Sequence, residues 1–253
     1  MGSQNQAALH DPVATAPGSE TDSKTPGREK SQIVRMTLVK ICGITNLEDA
    51  RAAIEAGADM LGFNFYRPSP RFIEPDDARK IIEELQSELE NSPEAPMMVG
   101  VFVNESSPEA LVRIARESGI TAAQLHGDES KEFYSAVKRI WPEGRLIIKA
   151  FRVDATFDPR EVGTYEADAI MLDSFHTQLR GGTGQVIDWS IARRAREAFP
   201  RLILAGGLSP ENVAAAIAEV QPFAVDACSS LESSPGRKDL KRVSAFVRAA
   251  RGS

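Results

Sequence analysis

From residue 37 onward the chain alternates eight times between a short apolar run and a longer amphipathic one. The short runs are rich in Val, Ile, Leu and Phe and lack polar alternation, the texture of strands buried on both faces. They are LVKIC (38–42), MLGFNF (60–65), MVGVFV (98–103), AAQLH (122–126), LIIKAF (146–151), AIMLD (169–173), LILAGG (202–207) and FAVDA (223–227). The longer segments carry apolar residues at helical spacing with charged residues between them. Asn46 stands before LEDARAAIEAG, whose Gly57 suits a left-handed stop. Pro75 and the string Ser107-Pro108-Glu109 open the next two helices. Asp128, Asp188 and the string Ser209-Pro210-Glu211 mark the starts of three more. Residues 158–165 read as a weak helix, and a last helix runs from about Lys238 to Ala250.

Strict alternation implies right-handed crossovers and a parallel sheet. Eight units with no linker between them favour closure, so the expected fold is a single (βα)8 TIM barrel. An open doubly wound sheet is disfavoured, because no G-x-G-x-x-G turn follows an early strand. The 253 residues suit one such barrel, which takes about 250. The segment 1–35 is of a different kind, rich in Ser, Thr, Pro, Gly, Gln and Asp without amphipathic period. It is expected to be a disordered N-terminal extension, with the catalytic domain spanning 36–253. It lacks the apolar core of a signal peptide, and its acidic residues weigh against a transit peptide. Met36, directly before the first strand, is a candidate alternative start.

Two cysteines in so long a chain exclude a disulfide scaffold and suit a reducing, cytoplasmic compartment. No apolar run approaches the roughly 20 residues of a membrane span. A net charge of −6 argues against nucleic acid as a partner. Neither a metal nor a cofactor is expected, and the chain is expected to be a monomer or a homodimer.

Barrel active sites lie at the C-terminal ends of the strands. Cys42, Arg71, His126, Asp173, Gly206, Gly207 and Asp226 to Ser230 stand in those windows. Gly206 and Gly207 after strand 7, with Ser229 and Ser230 after strand 8, suggest a phosphate site, since close approach of backbone N–H groups tolerates no Cβ. Cys42 and Asp173 make a candidate base and acid, provided that their surroundings drive their pKa values apart. Lys40 shares the inward face of the first strand with Cys42. Arg71 carries a planar fork suited to a carboxylate. Each has an ordinary alternative: a buried apolar thiol, a helix cap, a solvated surface arginine, a tight turn. The loop Gly181-Gly182-Thr183-Gly184 has the composition of a lid, and Trp189 reads as packing.

These strand ends sit in longer strings: KICGIT (40–45), ADMLGFNFYRPSPRFI (58–73), VGVFVNE (99–105), QLHGDE (124–129), LDSFHTQLRGGTGQVIDW (172–189), LAGGLSPENV (204–213) and PFAVDACSSLESSPGRKD (222–239). In this order and spacing the chain resembles the phosphoribosylanthranilate isomerase family over nearly all of 37–251. The resemblance implies an Amadori rearrangement in tryptophan biosynthesis, converting N-(5-phosphoribosyl)anthranilate to 1-(2-carboxyphenylamino)-1-deoxyribulose 5-phosphate. It implies Asp173 as the general acid and Cys42 as the general base. Arg71 would hold the anthranilate carboxylate, and backbone N–H groups near Gly206, Gly207, Ser229 and Ser230 the phosphate. One departure stands after strand 8, where Ser230 occupies a position that is often glycine in the family.

The rivals lack their own residues. Histidine-pathway isomerases put an aspartate where Cys42 stands, and indoleglycerol-phosphate synthase calls for a lysine constellation that has no counterpart here. A barrel that only binds a phosphorylated metabolite has no use for an acid and a base. Cys42 and Cys228 end strands that become neighbours on closure, so oxidants are expected to couple them.

Overall fold

Side chains on a strand point to opposite faces in turn, and here that alternation separates two apolar populations. The computed structural model describes residues 36–90, 95–154, 156–174 and 188–252, and Thr37–Ser253 forms one compact unit. The expectations for 1–35 and for the loop around Gly181 lie outside the described residues. The strands are β1 (Leu38–Cys42), β2 (Met60–Asn64), β3 (Met97–Phe102) and β4 (Ala122–Leu125). They continue as β5 (Ile147–Val153), β6 (Ala169–Ser174), β7 (Leu202–Leu204) and β8 (Ala224–Ala227). All eight are parallel and close in chain order, β8 pairing with β1.

On the inward face, Met60, Val99, Ala122, Ile148, Ala150, Ala169, Met171, Ile203 and Ala224 fill the barrel. On the outward face, residues such as Val39, Ile41, Leu61, Phe63, Ile170 and Val225 pack under the helices. Those helices are α1 (Leu47–Glu55), α2 (Pro75–Glu88), α3 (Pro108–Ser118), α4 (Lys131–Ile140), α5 (Trp189–Ala198), α6 (Val213–Val220) and α7 (Leu240–Arg251). Trp189 packs against this outer shell, as its position suggested.

Several boundaries differ from the sequence reading for identifiable reasons. Between β5 and β6 the weak helix is a 3-10 segment, Pro159–Thr164, in which only Val162 is buried. Phe151, Phe157 and Tyr165 cover that side of the sheet with edge and tilted ring contacts instead. Ser130, not Asp128, caps α4 by accepting from Phe133 N. The chain stays extended until then because the Glu129 carboxylate is held by Lys149 at 2.7 Å and by the N–H groups of Asn104 and Gly127. Asn212 precedes α6, and its side chain accepts from Ser209 N in a turn. After β8 the chain forms a 3-10 turn, Ser229–Leu231, then a small antiparallel hairpin, β9 (Glu232–Ser234) and β10 (Arg237–Lys238), which sequence pattern did not suggest. Among the described residues no helix is long and apolar enough to cross a membrane.

Asp239 caps α7 by accepting from Lys241 N and Arg242 N. Asp239→Ala is expected to cost about 1 kcal/mol. Denaturant unfolding should show the loss as a lower midpoint with an unchanged slope.

Candidate active site

Strand register brings the first group of site residues together. β1 pairs with β8 so that Lys40 lies opposite Asp226, and both face the barrel axis. Lys40 is fully buried, and its Nζ donates to Asp226 Oδ1 at 2.8 Å. Cys42 stands one inward step above Lys40, at the C-terminal end of the strand. Gly62 on β2 makes the room: a Cβ there would come within 2.8 Å of Cys42 Sγ and 3.1 Å of Lys40 Nζ.

Burial alone would strip Lys40 of its charge, but the Asp226 and Cys42 anions outweigh it and hold the ammonium above the ordinary lysine value. Asp226 goes the other way. Burial pushes its carboxyl up to about 6 against the pull of Lys40, and the neighbouring Cys42 and Asp173 charges add to the rise. Cys42 is held well below the usual thiol range. A hydrogen bond with Cys228 contributes most; burial opposes it, and Lys40 and Lys238 add their charge. That same bond, with burial and the Cys42 charge, pushes Cys228 well above its ordinary value. The pair therefore holds its negative charge on Cys42. Both cysteines are free thiols, and closure has made them neighbours as expected.

A second charged group surrounds Cys228. The Glu232 carboxylate, 4% exposed, accepts from Arg71 Nε at 2.9 Å and Nη2 at 2.7 Å, and from Lys238 Nζ at 3.0 Å. Lys238 also reaches the Cys228 carbonyl at 3.3 Å. Arg71 is thus an anchored, partly buried guanidinium rather than a solvated surface charge. Gly43 separates it from Cys228. At φ +78°, a side chain there would be strained and its Cβ would lie 2.8 Å from Cys228 Sγ and 3.0 Å from Arg71 Cδ.

Asp173 ends the inward face of β6 and is one-third exposed. Its Oδ2 lies 3.1 Å from His126 Nε2, and His126 Nδ1 lies 2.7 Å from Gln124 Nε2. Gln124 on β4, and His126 just beyond its end, follow Ala122 on the inward phase. Arg152 occupies the position on β5 opposite Asp173, on the same inward phase.

The loops after β7 and β8 lie side by side. Gly206 and Gly207 are left-handed, at φ +80° and +70°. A Cβ on Gly206 would meet Ser174 N at 2.3 Å, so only glycine fits. The Gly207 carbonyl is held by Asn212 Nδ2 at 3.0 Å. The Ser230 hydroxyl donates to the Leu208 carbonyl in a short bond, and the Ser230 carbonyl accepts from Arg242 Nε at 2.6 Å. The serine at this often-glycine position thus ties the two loops together, at a backbone angle that needs no glycine. Among the described residues nothing accepts from the N–H groups of Gly207, Ser229 and Ser230.

Comparison with known proteins identifies the family. The family model for N-(5'phosphoribosyl)anthranilate (PRA) isomerase matches residues 39–249. The chain belongs to the phosphoribosylanthranilate isomerase family. Its relatives include the N-(5'-phosphoribosyl)anthranilate isomerases of Geobacter sulfurreducens, 46% identical over 86% of this chain and all of that one, and of Trichlorobacter lovleyi, 43% identical over 85% and 98%. The crystal structure of phosphoribosyl anthranilate isomerase from Thermotoga maritima resembles this one with a TM-score of 0.75. It is 41% identical over 86% of this chain and 100% of that chain. An isomerase of the family crystallised with reduced 1-(o-carboxyphenylamino)-1-deoxyribulose 5-phosphate gives 0.72, also at 41% identity.

Sequence reasoning placed Cys42, Arg71, Asp173 and the glycines at the mouth but missed what organises them. Asp226 was in a strand-end window without a role. Glu232 and Lys238 carry no local signal, since only the hairpin brings them to Arg71 and Cys228. Gln124 lies within a strand, below the windows searched.

Lys40→Met leaves Asp226 buried without its cation, a change expected to cost about 3–5 kcal/mol. The double variant Lys40→Met/Asp226→Leu should regain most of that stability. In both, iodoacetamide should modify Cys42, followed by peptide mass spectrometry, only at higher pH than in the parent. Equal pH dependence in all three proteins would remove Lys40 as a source of thiolate character.

Proposed function

We propose that this chain catalyses the Amadori rearrangement of N-(5-phosphoribosyl)anthranilate in tryptophan biosynthesis, with Cys42 as general base and Asp173 as general acid. Family membership supports the reaction. The observation that carries the residue assignment is the buried Cys42 thiol at the end of β1, one inward step above the fully buried Lys40, whose charge draws it toward the anion. Such surroundings make a base from a group that is ordinarily protonated at neutral pH.

The substrate has two anionic ends and a sugar between them. Backbone N–H groups of Gly207, Ser229 and Ser230, with Gly206 allowing close approach, would hold the 5′-phosphate. Arg71, fixed along one edge by Glu232, would present the remainder of its guanidinium to the anthranilate carboxylate. Holding both ends places C1′ and C2′ between β1 and β6, and positioning of this kind lowers the barrier by several kcal/mol.

Asp173 then gives a proton to the ribose ring oxygen as the C1′–O bond breaks, leaving an iminium with the anthranilate nitrogen. Cys42 removes the C2′ proton, forming the enolamine. Ketone formation moves one proton off the C2′ hydroxyl and one onto C1′, so the acid and the base both regain their starting states. The chemistry is proton transfer throughout. We propose that the protein acts as a monomer or a homodimer. The isomerase from Thermotoga maritima is described as dimeric.

Freshly generated N-(5-phosphoribosyl)anthranilate should be consumed with loss of anthranilate-type fluorescence. Cys42→Ala and Asp173→Ala should each lower kcat by about 10²–10⁴-fold with unchanged circular dichroism. Arg71→Ala should act mainly through KM. Wild-type protein that binds a product analogue without turnover would sink the proposal.

A further inference from the structure

One buried polar atom at the mouth has no role in this scheme. Gln124 is 1% exposed, and its Nε2 serves His126 Nδ1, yet its Oε1 is buried with no hydrogen-bond partner. A buried carbonyl without a donor is costly, and its neighbour is an imidazole that can carry a proton on either nitrogen. The other ring nitrogen points at Asp173, the acid of the proposed reaction. A glutamine kept here at that cost is explained by what the other end of its amide does, which is to hold the imidazole.

We propose that Gln124 and His126 are positioning residues that hold the Asp173 carboxyl where it protonates the ribose oxygen: the Gln124 amide fixes the ring at Nδ1, and Nε2 fixes Oδ2. This rests on the reading of Asp173 as general acid. The proton that Asp173 gives up as C1′–O breaks returns to it from the C2′ hydroxyl on ketone formation, and the ring holds the carboxyl in one orientation through both steps.

The turn that carries His126 is unusually well fixed. Lys149 Nζ, nearly buried, binds Glu129 and the Gly127 carbonyl, both at 2.7 Å. Gly127 N donates to both Glu129 oxygens at 3.0 Å. Asn104 adopts a left-handed φ of +51°, rare for a side-chain-bearing residue, and its Oδ1 accepts from Asp128 N at 2.8 Å. A Cβ on Gly127 would fall 2.3 Å from that same Oδ1. Strain of this kind persists where surrounding structure over-determines it. Its effect here is to aim one imidazole at one carboxylate. Among the described residues, the charged groups facing the pair are Arg152 beside Asp173 on β5, Asp226 with Lys40 and Cys42 across the mouth, and Asp128 and the Glu129–Lys149 pair beside His126.

The test uses the whole protein. His126→Ala should lose about 10²-fold in kcat with little change in KM, and added imidazole should restore part of it. Gln124→Met keeps the volume but removes the bond to Nδ1, so it should also lower kcat while KM and circular dichroism stay unchanged. A merely structural role gives no imidazole rescue and no separation of kcat from KM. Parental kcat in His126→Ala, or a loss that imidazole does not restore, would overturn the proposal. A wild type that does not turn over strikes the isomerase reading, and the proposal with it.

Discussion

A lysine sealed inside a barrel must be matched by anions, and the site follows from how Lys40 is matched. Two candidates reach it, Asp226 across the β1–β8 seam and Cys42 on its own strand. One cation shared by two acidic groups cannot satisfy both equally. For the carboxylate, the deeper of the two along the strands, burial is the largest influence, and it leaves the pKa near 6. The thiol also draws on Cys228 and Lys238, and so it takes the negative charge readily. Because side chains alternate along a strand, slipping the β1–β8 register by one residue would replace Asp226 opposite Lys40 with an outward-facing alanine or valine. Chemistry at Cys42 thus depends on barrel closure between the first and last strands.

The hairpin after β8 extends this dependence to the loops. Lys238 N donates to Asp49 at 2.9 Å, and Asn46 holds the same carboxylate oxygen at 2.7 Å. Thr45 Oγ1 donates to the Gly236 carbonyl at 2.6 Å. The start of α1 and the hairpin are therefore joined, although nearly the whole barrel separates them in sequence. Through that join Lys238 and Glu232 are brought beside Cys228 and Arg71. Deleting the Glu232 carboxylate would leave Arg71 and Lys238 facing one another near a thiol whose proton matters.

What was legible in the sequence follows a physical line. Strands buried on both faces announce themselves by uninterrupted apolar runs, and β1 was read to the residue. Cys42, Asp173, Gly206 and Gly207 could be placed at the mouth because barrel geometry puts strand ends there. The cap of α4 was misplaced because Glu129 looks like a helical residue but serves a buried lysine on another strand. The hairpin was invisible, since Glu-Ser-Ser and Arg-Lys carry no strand pattern and pair only through their shared attachment to α1 and β8. Gln124 was missed because a polar residue inside an apolar strand has meaning only when its inward neighbours are known. The family resemblance supplied roles for individual residues, and the hydrogen-bond partners of those residues came from the structure alone.

The two halves of the mouth differ in exposure, and the difference suits the roles proposed for them. On the Cys42 side, Lys40 is wholly buried and Glu232 and Lys238 nearly so. Fixed charges away from water keep their strength, which a thiol needs if it is to stay ionised without being solvated. On the Asp173 side, Asp173 and His126 retain 33% and 22% exposure, and the ring joins the carboxyl to a neutral amide. The proposed general acid must recover its proton in every turnover, so contact with substrate hydroxyls and solvent serves it better than enclosure. Exposing Cys42 would defeat the proposed base, since it would lose the surroundings that hold it below the usual thiol range. The barrel keeps the environments separate by placing them on β1 and β8 at one edge and on β4 and β6 at the other, with the sugar carbons of the proposed substrate between.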